Sequence, residues 1–135
     1  MPKSALDSLE EKLRLITKRD RRYHVNAYKF IFEALDHVLS RIGKKRHITG
    51  NELLDAVREL GTDKFGFLAR TVFENWGVKN TRDFGEIVFN LVNCGLMGKT
   101  PEDSVEDFDN VYDFEEIFER NFRVQFPPEQ KRKKN

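Results

Sequence analysis

A lone thiol, a carboxylate–imidazole pair, an acidic run and a basic run are the groups in this sequence that could do chemistry. Cys94 is the single cysteine. It follows the apolar residues Ile87, Val88, Leu91 and Val92 and precedes Gly95, so it stands at the C-terminal end of an expected helix. That end carries the negative pole of the helix and disfavours a thiolate, so Cys94 reads as a small half-buried filler. Glu33 and His37 are four residues apart and share a helix face, a spacing that could ligate a metal. A helical di-metal site uses Glu-x-x-His motifs on two helices, and the sequence has none. A solvent-facing pair is the plainer reading. The acidic run DFDNVYDFEE (107–116) resembles a calcium loop, but counting from Asp107 puts Val111 and Tyr112 where a ligand and a glycine belong. No phosphate-binding glycine loop, zinc-spaced Cys/His set or H-E-x-x-H motif is present. The sequence therefore points to no cofactor, metal or catalytic residue. Asp83, Glu86, Asn90 and His24 are the polar candidates for an enzyme assembled from distant segments.

Nucleic-acid chemistry requires a separate reading. The stretch FENWGVKNTRDFGEIVFNLVNCGL has the rhythm of a helix-turn-helix, yet its second helix would show Asp83, Glu86, Asn90 and Asn93 outward, with Arg82 as its only basic residue. Carboxylates repel phosphates, which argues against sequence-specific DNA reading. The basic segment 12–24 is a better fit for RNA or a ribosome. Lys18, Arg19, Arg21 and Arg22 could neutralise phosphates there, and Tyr23 could stack on a base. A second basic run, Lys131, Arg132, Lys133 and Lys134, closes the chain. Residues 1–47 carry 12 Lys/Arg against 6 Asp/Glu, whereas 101–135 carry 6 against 10. Such asymmetry can mark a nucleic-acid partner. It is also what results when a basic third and an acidic segment neutralise each other across the fold.

The elements that must position these groups are helical. Leu6, Leu9, Leu13 and Ile16 form a narrow seam after Ser4. Tyr28, Ile31, Phe32, Leu35, Val38, Leu39 and Ile42 give one unbroken face over a helix from Val25 to Ile42, stopped by Gly43. Thr49 and Glu52 form a capping box that opens a third helix, and Gly61-Thr62-Asp63 is expected to interrupt it. Phe65, Leu68, Ala69, Val72, Phe73 and Trp76 mark a fourth, closed by Gly77. A fifth runs from Thr81 to Cys94, with Gly95 as its stop. Thr100-Pro101 and Asp113-x-x-Glu116 are further helix starts. Phe122, Val124 and Phe126 alternate, an extended pattern ended by Pro127-Pro128.

The expected fold is therefore all-α: a compact single-domain bundle of about five to seven helices. Residues 1–126 form the domain, with an extended C-terminal segment, and 127–135 form a disordered basic tail. No apolar run approaches the roughly 18 residues of a membrane span, and no secretory signal is visible. One cysteine cannot form an internal disulfide, which suits a reducing cytoplasm. Two phenylalanines exceed what single buried stripes require. Phe89 lies roughly 140° from Phe84 around its helix, and Phe30 lies opposite its helix's main stripe, near His37. Gly85, beside Val92, leaves room for a close backbone approach. Phe30, His37 and Phe89 either belong to helices packed on both sides or mark a partner surface.

The stretches AYKFIFEALDHVL, HITGNELLDAVREL, FGFLARTVFENWGVKNTRDFGEIVFNLVNCGLMGKT and DSVEDFDNVYDFEEIF cover most of residues 27–118. As a set they resemble a small, uncharacterised bacterial family catalogued as restricted to Verrucomicrobia and Planctomycetes. The resemblance implies a bacterial protein and carries no assigned reaction, cofactor or catalytic residue. The leading expectation is a non-enzymatic helical domain that binds a protein, either another or a second copy of itself. An RNA- or ribosome-associated factor using 12–24 and 131–134 is the alternative, and an enzyme built from dispersed polar residues the second alternative. No membrane partner is expected.

Overall fold

Local hydrogen bonds set most of the helix boundaries in the computed structural model, which describes residues 5–120. Helix α1 (Ala5–Arg19) buries Leu13 and Ile16, whereas Leu15 is exposed on the opposite side. Helix α2 (Val25–Ile42) is capped by His24, whose Nδ1 accepts from the Asn26 amide at 3.0 Å. It ends at Gly43, where φ of +82° lets the amide donate back to the Leu39 carbonyl. Helix α3 (Gly50–Phe65) opens on the expected capping box. The Glu52 amide donates to Thr49 Oγ1 at 3.1 Å, and the Thr49 amide donates to Glu52 Oε1 at 2.9 Å.

The expected interruption at Gly61 does not occur. Helix α3 continues through Gly61, which is buried, and a Cβ there would stand 2.9 Å from the Phe73 ring. Gly61 therefore admits a ring and does not stop the helix. The break comes at Gly66, where φ is +58° and a short 3₁₀ turn (Gly66–Leu68) leads into helix α4 (Ala69–Asn75). Helix α5 (Thr81–Asn93) is capped by the Asn80 side chain, which accepts from the Asp83 amide. The Thr100-Pro101 start gives only a turn, followed by a 3₁₀ turn (Val105–Phe108) capped by Ser104. The Asp113 carboxylate caps the Glu116 amide at 3.0 Å before a π-helical turn (Glu116–Arg120). Phe122, Val124, Phe126 and the tail fall outside the described residues.

The described chain is thus all-α, with five α-helices and no strand among the described residues. None of those helices is long and apolar enough to cross a membrane. Its buried residues form one cluster centred on Phe73. The Phe73 ring lies 5.2 Å from Phe84, 5.3 Å from Phe30 and Phe118, and 5.8 Å from Phe114, centroid to centroid. Such tilted and edge-on pairs add to the burial energy. Phe30 therefore answers one open question: it is 1% exposed and also touches Phe65 and Trp76. Helix α2 is packed on both flanks, so Phe30 belongs to the core and is not part of a partner surface.

Glycine and threonine hold the loops against this core. The ring of Phe108 lies over Gly85, where a Cβ would fall 2.7 Å from its Cβ and Cγ, and it also abuts Gly50. The approach that Gly85 permits is thus that of a side chain rather than of a backbone. Buried Thr81 donates its hydroxyl to the Phe108 carbonyl at 2.6 Å and accepts from the Val111 amide at 3.1 Å. Residues 95–112 are fastened across α5 and the start of α3 by these contacts.

Candidate binding groove

Phe89 points to the second open question. It is half-buried and lines a groove of about 390 Å³. Leu35 and Leu39 of α2, Leu53 of α3, and Val88, Phe89 and Val92 of α5 make its apolar floor, with Met97 and Phe108 closing it. The floor exists because α5 turns one stripe to the core and Phe89 beyond it, while Phe108, packed on Gly85 and Gly50, holds the 95–112 segment along the groove's side. A mostly apolar cleft of this size with a few polar groups at its edge is the usual form of a binding site.

The polar edge is largely satisfied within the protein. His47 Nε2 lies 2.9 Å from Asp103 Oδ2, joining the loop after α2 to the loop after α5. Burial works to raise the Asp103 pKa, but the Thr100 amide and His47 outweigh it and hold the carboxyl below its ordinary value. Arg46 grips Glu52 with two bonds, at 3.2 and 2.7 Å, and together with the Thr49 amide pulls the Glu52 pKa down to about 2. Asp107 accepts from the Ser104 amide. Lys99 differs: its ammonium reaches only the Thr100 carbonyl, at 3.3 Å, and makes no ion pair among the described residues. Lys44 and Lys45, exposed beside Arg46, are likewise without one among the described residues.

The other residues singled out from the sequence fall elsewhere. His37 is half-buried on α2 and, with Arg41, meets Glu59 of α3. It is therefore part of a helix–helix ion cluster and does not line the groove. Glu33 pairs with Lys64 at 2.7 Å and not with His37. Tyr23 is 3% exposed and donates its phenol to Asp83 at 2.6 Å, so its ring has no face free for a base. Arg22 is bound by Asp20 and Glu86 and lies over the Tyr23 ring. Tyr23 is therefore too enclosed to stack on a base, whereas Arg22 is exposed but ion-paired. Lys18, Arg19 and Arg21 are exposed, with no ion pair among the described residues, while Lys131, Arg132, Lys133 and Lys134 lie outside those residues. Asp83 and Glu86 accept bonds from Tyr23 and the Lys79 amide, and from Arg22 and Arg82, respectively. Asn90 donates to Asp20 and to the Tyr28 hydroxyl, and His24 caps α2. None of these four groups lines the groove. Cys94 is half-buried and donates weakly to the Leu91 carbonyl, at the helix end where it was expected. No group of three or more His, Cys, Asp or Glu side chains is placed to hold a metal among the described residues.

No family model, curated protein or solved structure matches this chain. The groove's own geometry therefore carries the functional reading. His47, Met97, Lys99 and Asp103 were missed as site residues. The pattern GKKRH reads only as a solvated loop, and its contact with Asp103 spans 56 residues of sequence.

Proposed function

We propose that this chain is a non-enzymatic helical binding domain and that the groove at Phe89 receives an amphipathic helix of a partner protein. The observation that supports it is the continuous apolar floor contributed by α2, α3 and α5, with Phe89 left half-exposed on it. Recurring modes of peptide recognition narrow the occupant. Strand addition needs an open sheet edge, and the described residues contain no strand. Recognition of polyproline needs an aromatic ridge, and Phe89 and Phe108 are the only aromatic residues at this groove. A helix inserting two or three apolar side chains suits the volume. Lys99, with Lys44 and Lys45 next in sequence to the groove residue Arg46, favours acidic residues beside those anchors. The engagement of Asp83, Glu86, Asn90 and His24 in structural hydrogen bonds weakens the enzymatic alternative. We place the protein in the cytoplasm, where a single thiol needs no disulfide partner.

The test uses the whole chain and its Phe89→Glu variant as baits in native lysate. A partner captured by the first and lost with the second is then supplied as a synthetic peptide spanning its amphipathic segment. The reading expects that peptide to bind the wild-type chain with a gain of helical circular dichroism. Equal capture by both baits, or binding without helix formation, overturns it. Light scattering separates a second copy of the chain from a different partner.

A further inference from the structure

We propose that single-stranded RNA binds a second site, the cleft between the end of α1 and the end of α4, with Arg14, Lys18 and Arg21 against phosphates and Trp76 against a base. The cleft has a volume of about 510 Å³, and Thr17, Arg21, His24, Asn75 and Trp76 are among its walls. Arg14, Thr17 and Lys18 fall within an arc of roughly 100° on α1, so the two cations share a helix face with Thr17, which lines the cleft. Arg14, Lys18 and Arg21 are all exposed and have no ion pair among the described residues.

The charges that could oppose a phosphate are already occupied. Glu74 also lines the cleft, but its carboxylate is paired with Arg70 at 3.2 Å. Arg22 neutralises Asp20. The expected neutralisation of the basic third by the acidic segment is therefore confined, among the ion pairs of the described residues, to His47 with Asp103. The excess positive charge around residues 14–21 is left facing solvent, and such a surface attracts a polyanion.

Stacking favours a single strand over a duplex, and two polar groups suit RNA. Trp76 is half-buried, with Phe30, Phe65 and Phe73 behind it, which makes it a rigid platform at the cleft. Base–aromatic stacking needs an unpaired base. His24 Nδ1 accepts from the Asn26 amide, so the proton of the neutral ring is on Nε2 and available as a donor. Asn75, exposed beside it, supplies a side-chain amide that can meet a 2′-hydroxyl.

Trp76 is the only tryptophan, so its fluorescence reports on this cleft alone. The whole chain is titrated with a uridine oligonucleotide about 12 nucleotides long, a single-strand probe spanning one such site. The expected result is quenching of Trp76, with an affinity that falls with salt at a logarithmic slope of about −2 for three phosphates. The Arg14→Glu/Lys18→Glu/Arg21→Glu variant is expected to weaken binding at least about tenfold at low salt. The Lys44→Glu/Lys45→Glu variant, which reverses two cations that do not line the cleft, and Phe89→Glu are expected to change it less than about twofold. Unchanged fluorescence at saturating RNA, equal losses in the two charge variants, or binding abolished only by neutralising 131–134 would overturn the proposal.

Discussion

Asp20 is the residue on which the junction between α1, α2 and α5 depends. Its carboxylate accepts from the Arg22 amide and guanidinium, at 2.7 to 3.1 Å, and from Asn90 at 3.0 Å. The Arg22 bonds hold its pKa well below the usual carboxylate range, against the opposing effect of burial. A carboxyl whose folded pKa is depressed contributes stability that is fully present above the unfolded value, about 3.9, and is lost as pH falls through the folded value. Asp20→Asn is therefore expected to lower stability at neutral pH by about 1–3 kcal/mol. Thermal melts from neutral pH into acid should show the wild type losing that advantage below about pH 4, with the two curves approaching each other. A constant gap at all pH values would remove Asp20 from this role. Tyr23 teaches the same lesson from the other side. Burial pushes its phenol pKa up, and donation to Asp83 pushes it further, so the group remains a donor throughout the neutral range. Tyr23→Phe should cost about 1–2 kcal/mol in chemical denaturation, because it takes one donor from a half-buried carboxylate. In sequence Tyr23 looks like part of a basic, RNA-facing run, but adjacency along the chain does not say which neighbour turns inward.

Helix placement in this protein depends on glycines that admit rings. Gly85 and Gly50 receive Phe108, and Gly61 receives Phe73. Gly85→Ala would set a methyl 2.7 Å from Phe108, and the expected loss is about 1–3 kcal/mol. In a double-mutant cycle with Phe108→Ala the two losses should fall short of additive, since alanine removes the Cγ and Cδ1 contacts at 2.7 and 2.9 Å and leaves only its Cβ, no longer anchored by the ring, against the methyl. Additive losses would mean that the ring is not held by the glycine. Helix α5 itself was readable from sequence because its stripe and its Gly95 stop are local. The extent of α3 was not. Glycine at 61 has the same local signature as a helix stop, and only the approach of Phe73 distinguishes a packing glycine from a terminating one.

At the scale of the whole molecule, the two surplus phenylalanines part company. Phe30 completes the aromatic cluster, while Phe89 stays at the edge of it and floors the groove. Phe30→Ala is accordingly expected to cost about 3–5 kcal/mol in equilibrium unfolding. Phe89→Ala should cost only about 1 kcal/mol, because less of its area leaves water on folding. Partner binding should respond in the opposite order, with Phe89→Ala losing it while the fold persists. Comparable destabilisation by both substitutions would make the groove wall simply another part of the core.

The sequence by itself determined the all-α class, the span of α2, the capping box at Thr49 and the Asp113 cap, because each depends on residues within a turn or two of one another. It also determined that Cys94 ends a helix. It left open whether off-stripe residues face a neighbouring helix or solvent, since a 3.6-residue period names a face but not what covers it. Only the tertiary structure decided that Phe30 is enclosed, that Phe89 lines a groove, that Tyr23 turns inward, and that Arg22 is held by Asp20 and Glu86. Those outcomes rest on contacts between residues far apart in the chain, such as Phe30 with Phe73, Tyr23 with Asp83, and His47 with Asp103.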